Sequence, residues 1–91
     1  MAKVTLEIPG LLRDAVDGRA ALEVTADDVA GVLKHVRDEH RVLASLILEA
    51  GELRPHVLLM LNDQCTRWLP EEKQRLSDGD RLVIWQAVSG G

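Results

Sequence analysis

The sequence predicts an α+β fold of two layers, a mixed sheet with helices on one face. Three observations carry this: an alternating strand at the front, an amphipathic helix behind it, and a second group of apolar segments that closes on a last strand. At 91 residues the chain has room for one core, so we read 1–91 as a single domain. A composition of 46% hydrophobic and 29% charged residues excludes a chain disordered by composition. A net charge of −4 argues against nucleic acid as a partner, because such binders neutralise phosphates with Lys and Arg. The longest apolar run, Val57 to Leu61, is far shorter than a bilayer is thick, and Met1-Ala2-Lys3 leads straight into a strand. With no internal disulfide open to the lone Cys65, these features predict a cytoplasmic protein without a membrane partner.

Val4, Leu6 and Ile8 alternate with Lys3, Thr5 and Glu7, as in a strand with one buried and one wet face, and Pro9-Gly10 stops it. Beyond a polar loop holding Asp17-Gly18, Leu22 and Val24 alternate again, which makes the two segments an antiparallel hairpin with a long connection. Thr25 with Asp28 three positions on reads as an N-cap pair, and Asp27 and Asp28 suit the positive end of a helix dipole. Val29, Val32, Leu33 and Val36 then form one helical stripe that ends near His40. Leu43, Leu46, Ile47 and Ala50 repeat that spacing with Gly51 as C-cap, predicting a short second helix before a loop at Arg54-Pro55.

Val57 to Leu61 reads as a strand covered in part on both faces, closed by Asn62-Asp63, with Gln64 to Trp68 as a shorter return strand. Pro70 to Gln74 is a polar connection. Asp78-Gly79 signals a tight turn before a final strand from Arg81 to Val88, in which Leu82 and Ile84 face one side and Val83 and Trp85 the other. A crossover through the helices would set this last strand beside the first, in the centre of the sheet. That arrangement is the β-grasp, or ubiquitin-like, pattern.

Side-chain catalysis finds little support. The sequence has no Gly-rich phosphate loop, no paired Cys motif, no Gly-x-Ser-x-Gly elbow and no His-Glu-x-x-His helix. His35 and His40 are five apart, a poor spacing for two ligands on one helix face, and His56 has no carboxylate or thiol beside it, so no metal site is expected. Cys65 lacks a local base and reads as structural. Asp27-Asp28 reads as helix-start charge, and Glu71-Glu72 as a solvated loop. Val83, Trp85, Leu58 and Met60 differ, because they alternate away from Leu82, Ile84, Val57, Leu59 and Leu61 in a fold that covers one sheet face. Either loops and the second helix hide them, or they form an exposed apolar patch for a partner, with Trp85 foremost.

The sequence given finishes at Val88-Ser89-Gly90-Gly91. Leaving from a central strand, those four residues reach roughly 13 Å when extended, and two glycines put no side chain in the way of a narrow slot. The expectation is a flexible tail (88–91) that delivers a carboxylate.

Ile8-Pro9 followed by Leu11-Leu12-Arg13, the Asn62 turn after an apolar strand, Asp78-Gly79-Asp80 before the last strand, and Val88-Ser89-Gly90-Gly91 occur in an order that resembles the ThiS/MoaD family of ubiquitin-like sulfur-carrier proteins. The resemblance implies a protein co-substrate rather than an enzyme. Gly91 would be adenylated by an E1-like adenylyltransferase that uses ATP and magnesium, with no cofactor bound by the carrier itself. A sulfur donor protein, of desulfurase or rhodanese type, would convert the adenylate to a thiocarboxylate for a downstream synthase such as the molybdopterin synthase large subunit. Gly90, Ser89 and Val88 would pass through the partner's slot, and Trp85 would meet the adenylating enzyme.

Many molybdopterin-type carriers have Pro-Pro where this chain has Gln86-Ala87. The stretch from Val42 to Arg54 makes the chain similar to the molybdopterin-type small subunit or to carriers serving cysteine and thiosugar synthesis, and longer than the shortest thiamine-type carriers. Molybdopterin is the first expectation for the destination of the sulfur. A lysine-conjugated protein modifier and a non-covalent β-grasp interaction module are the competing functions.

Overall fold

The computed structural model describes residues 1–86. Strand β1 (Ala2–Glu7) pairs antiparallel with β2 (Ala21–Ala26), with Val4 opposite Val24 and Leu6 opposite Leu22. Helices α1 (Val29–Glu39) and α2 (Arg41–Ile47) follow, then a small hairpin of β3 (Leu48–Glu49) and β4 (Glu52–Leu53). Strand β5 (Val57–Leu61) turns into β6 (Gln64–Cys65), and β7 (Arg81–Gln86) completes a five-stranded sheet in the order β2-β1-β7-β5-β6. β7 runs parallel to β1 and antiparallel to β5, so the sheet is mixed and the last strand lies beside the first at its centre, as expected.

The two periodicities meet in one core. Val4, Leu6, Leu22, Val24, Val57, Leu59, Leu82 and Ile84 project from the strands, and Val29, Val32, Val36, Leu43 and Ile47 project from the helices onto them, all buried. Side chains of this size contribute about 1.5–3 kcal/mol each when fully buried. The connection after Pro9 is not featureless: a 3-10 segment (Gly10–Val16) plugs this core with Leu12 and Val16 and ends on Asp17 in the left-handed region at φ 58°.

Four sequence expectations are corrected. Thr25 belongs to β2, and Asp28 alone caps α1, its Oδ1 accepting from the Gly31 N–H at 2.8 Å. The sheet takes Thr25 because its ladder with Lys3 is already in register. Helix α2 stops at Ile47 rather than running to Ala50, because Leu48 turns inward and is buried in extended backbone. Gly51 is then no helix cap: Ala50 (φ 53°) and Gly51 (φ 83°) are two successive left-handed residues that make the β3–β4 turn.

The return strand after Asp63 covers only Gln64 and Cys65 before a 3-10 turn, Thr66–Trp68, breaks it. The Arg67 guanidinium there donates to the carbonyls of Arg54, Pro55 and Val57, tying the 3-10 turn to the loop that enters β5. The polar connection after Pro70 likewise winds into a short 3-10 turn, Glu71–Lys73. For the last strand, the portion from Ala87 to Val88 lies outside the described residues.

Candidate functional site: the uncovered half of the sheet

Because α1 and α2 cover one face, the outward side chains of the strands decide what the other face can do. On β5 and β7 these are Leu58, Met60, Val83 and Trp85, and the antiparallel register sets Leu58 directly opposite Trp85 and Met60 opposite Val83. The four residues singled out from alternation are therefore one patch. Trp85 is 60% exposed, and its three neighbours are half-buried. None of the four is buried, so the helices and loops do not close over them.

The same face is polar on its other half. Lys3, Thr5, Glu7, Glu23, Thr25 and Arg81 point outward from β1, β2 and the start of β7. Lys3 Nζ pairs with Glu23 Oε1 at 3.9 Å, and Arg81 pairs with Glu7, so these charges face partners within the protein. An incoming surface meets apolar area over β7, β5 and β6 beside a rim of neutralised charge.

Cys65, set aside as structural, joins this patch: the Asn62-Asp63 turn pairs Leu61 with Gln64 and hence Met60 with Cys65, placing the half-buried thiol at its β6 edge. Counting outward from a two-residue turn would have found it. Trp68, 75% exposed in the 3-10 turn after β6, is a second exposed tryptophan that a strand reading of Gln64 to Trp68 does not single out. His35 and His40 come closer than helical spacing suggested, ring centroids 5.4 Å apart, since His40 has left the helix with φ −133°. Partial burial lowers the His40 pKa below 6.5, His35 and Arg19 lower it further, and Glu39 opposes them. Among the described residues no group of three or more His, Cys, Asp or Glu could hold a metal ion. No helix there is long and apolar enough to cross a membrane.

β7 is central and its last described residue, Gln86, pairs with Val57, so the chain heads for its Gly-Gly from the strand that carries Trp85. Val88, Ser89, Gly90 and Gly91, the expected tail, lie outside the described residues.

A mixed β-grasp sheet with helices on one face and an apolar patch on the other defines a ubiquitin-like protein. The model of the ThiS family matches residues 6–91, and this chain belongs to that family. The sulfur carrier protein CysO of Mycobacterium tuberculosis is 25% identical over 91 residues, covering 97% of this chain and 98% of that protein. Small archaeal modifier protein 3 of Haloferax volcanii is 32% identical over 79 residues, covering 84% of this chain and 86% of the relative. Among solved structures, the crystal structure of the Amycolatopsis orientalis BexX/CysO complex is similar with a TM-score of 0.83 and 27% identity, covering 97% of this chain and 99% of the matched one. The family places the chain among small sulfur-carrier and ubiquitin-like proteins, which are not themselves catalysts.

Proposed function

We propose that the protein carries sulfur as a thiocarboxylate on Gly91. The observation that carries this reading is that the family match runs through Gly91, beyond the strand that presents Trp85. A carboxylate at neutral pH is a poor electrophile. Its attack on the α-phosphorus of ATP, with magnesium, on an E1-like adenylyltransferase releases pyrophosphate and makes the acyl adenylate. The outer sulfur of a persulfide on a desulfurase or rhodanese-type donor then displaces AMP to give an acyl disulfide, and a thiol that attacks the donor's sulfur cleaves its S–S bond, leaving the thiocarboxylate on the carrier and a new disulfide on the donor. In this scheme Gly90, Ser89 and Val88 thread the partner's slot, while Trp85, Val83, Leu58 and Met60 seat the body of the carrier. The partners supply the catalytic groups.

The destination we favour is a small-molecule synthase for cysteine or a thiosugar. The insertion from Val42 to Arg54 fits that branch as well as molybdopterin, Gln86-Ala87 departs from the molybdopterin-type tail, and the relatives reported above bear the names of a sulfur carrier and a modifier. The test is intact mass spectrometry of the natural protein incubated with its adenylyltransferase, ATP and sulfide. We expect a chain ending at Gly91 that exchanges one oxygen for one sulfur. Continuation of the natural chain past Gly91 without trimming, or an unchanged mass with an active enzyme, overturns the reading.

The 32% identity to a small archaeal modifier protein supports a second reading, conjugation to lysines through the same end. It predicts larger conjugates in cell extracts that vanish when Gly90 and Gly91 are deleted.

A further inference from the structure

All four patch residues come from β5 and β7, so the patch exists only while these strands keep their register. A slip of one residue would turn Val83 and Trp85 inward and Leu82 and Ile84 out. At the end of β5 the chain makes a left-handed turn at Asn62, φ 55°. The Asn62 N–H still donates to the Arg81 carbonyl at 2.7 Å, continuing the ladder one step beyond Leu61 and Leu82. The reciprocal bond is made by the side chain: Asn62 Oδ1 accepts from the Arg81 N–H at 3.1 Å, where a main-chain carbonyl would stand in a regular strand.

Asn62 Nδ2 donates to Asp80 Oδ1 at 3.3 Å, while Asp80 Oδ2 accepts from the Ser77 N–H at 2.8 Å. The Asp80 carbonyl in turn accepts from the Thr5 N–H of β1 at 3.1 Å. One amide thus ties the β5–β6 turn to the start of β7, and through Asp80 to β1.

We propose that Asn62 and Asp80 form a register lock, and that Asn62 is a positioning residue for docking of the carrier on its adenylating enzyme. This rests on the activation reading above. The lock holds the first residue of β7, four residues before Trp85, so it sets the fraction of molecules whose patch is assembled. A partner's apparent affinity falls in proportion to that fraction. Asn62 touches no reacting atom and acts through Val83 and Trp85.

The test compares wild type, Asn62→Gly, Asn62→Asp, and Asn62→Asp combined with Asp80→Asn. Glycine keeps the left-handed backbone and removes both side-chain bonds. The single Asp variant sets two carboxylates against each other, and the double variant restores the donor–acceptor pair with its ends exchanged. Carrier-dependent ATP–pyrophosphate exchange by the organism's own E1-like adenylyltransferase gives KM and kcat, and amide hydrogen exchange reads Arg81 and Val83.

We expect about a fivefold rise in KM for Asn62→Gly with kcat unchanged, the scale of one to two modest hydrogen bonds. Amide exchange should quicken at the start of β7, and the double variant should recover toward wild type from the larger loss of Asn62→Asp. A lower melting temperature with unmoved KM would show a merely structural turn and overturn the inference. Wild-type protein that supports no exchange at all overturns the activation reading, and the positioning role falls with it.

Discussion

Trp85 separates docking from folding. With 60% of its surface in solvent it adds little to the core, yet it is the largest apolar group on the uncovered face. Trp85→Ala should change stability by no more than about 0.5 kcal/mol in denaturant titration, as surface positions do. It should cost about 2 kcal/mol of partner affinity by calorimetry, the scale of an aromatic hot spot. Equal losses on both measurements would mean that the ring is packed.

His40 behaves differently, because burial and the nearby His35 and Arg19 disfavour its charged form in the folded state. The unfolded chain then binds the proton more readily, so stability should fall as pH drops through 6.5 and level off below the folded pKa. The difference in melting temperature between wild type and His40→Gln, followed from pH 8 to 5, should shrink or reverse on the acid side. A difference constant with pH would refute the assignment. The alternation of single residues made Trp85 legible in advance. Nothing local marked His40, whose environment depends on where the helix ends.

At the scale of elements, the strands were readable because burial on one face imposes a period of two, and α1 because its stripe is long enough to recur. Short elements were not. β3 and β4 pair two residues each around Ala50-Gly51, and a glycine after an apolar helical run looks the same whether it caps a helix or turns a hairpin. The return strand is shorter than Gln64 to Trp68 suggests because the chain winds into a 3-10 turn at Thr66, where Arg67 reaches the carbonyls of Arg54, Pro55 and Val57, contacts invisible in sequence order.

Helix α1 supplies a test of packing against propensity. Alanine is better than glycine inside a helix by about 1 kcal/mol. At Gly31, however, a Cβ would stand 3.1 Å from the Ala26 Cβ of β2 and 3.3 Å from Asp28 Oδ1, the cap oxygen. Both are held, one by the sheet and one by its own hydrogen bond, so Gly31→Ala should lower the unfolding midpoint. A raised midpoint would show that the sheet yields. Asp28→Ala removes the cap outright and should cost about 1 kcal/mol in the same experiment.

The whole molecule divides its labour by face. Among the described residues every fully buried large side chain lies between Val4 and Leu82, and the buried core closes at Ile84. Leu82→Ala should therefore cost about 2–5 kcal/mol of stability, read by denaturant unfolding, because it opens a cavity at the centre of the sheet. Deleting Gly90 and Gly91 should leave that unfolding curve in place and abolish adenylation. A domain that unfolded on losing its last two residues would not be a carrier of the kind proposed.

The central place of β7 has a mechanical consequence. Hydrogen-bonded to β1 on one side and to β5 on the other, β7 cannot be peeled away one bond at a time by tension applied at its far end. Such a load acts along both ladders together and meets them in shear. On the proposed reading, an enzyme that pulled on the end of this strand would haul against the body as against a mooring held on both sides.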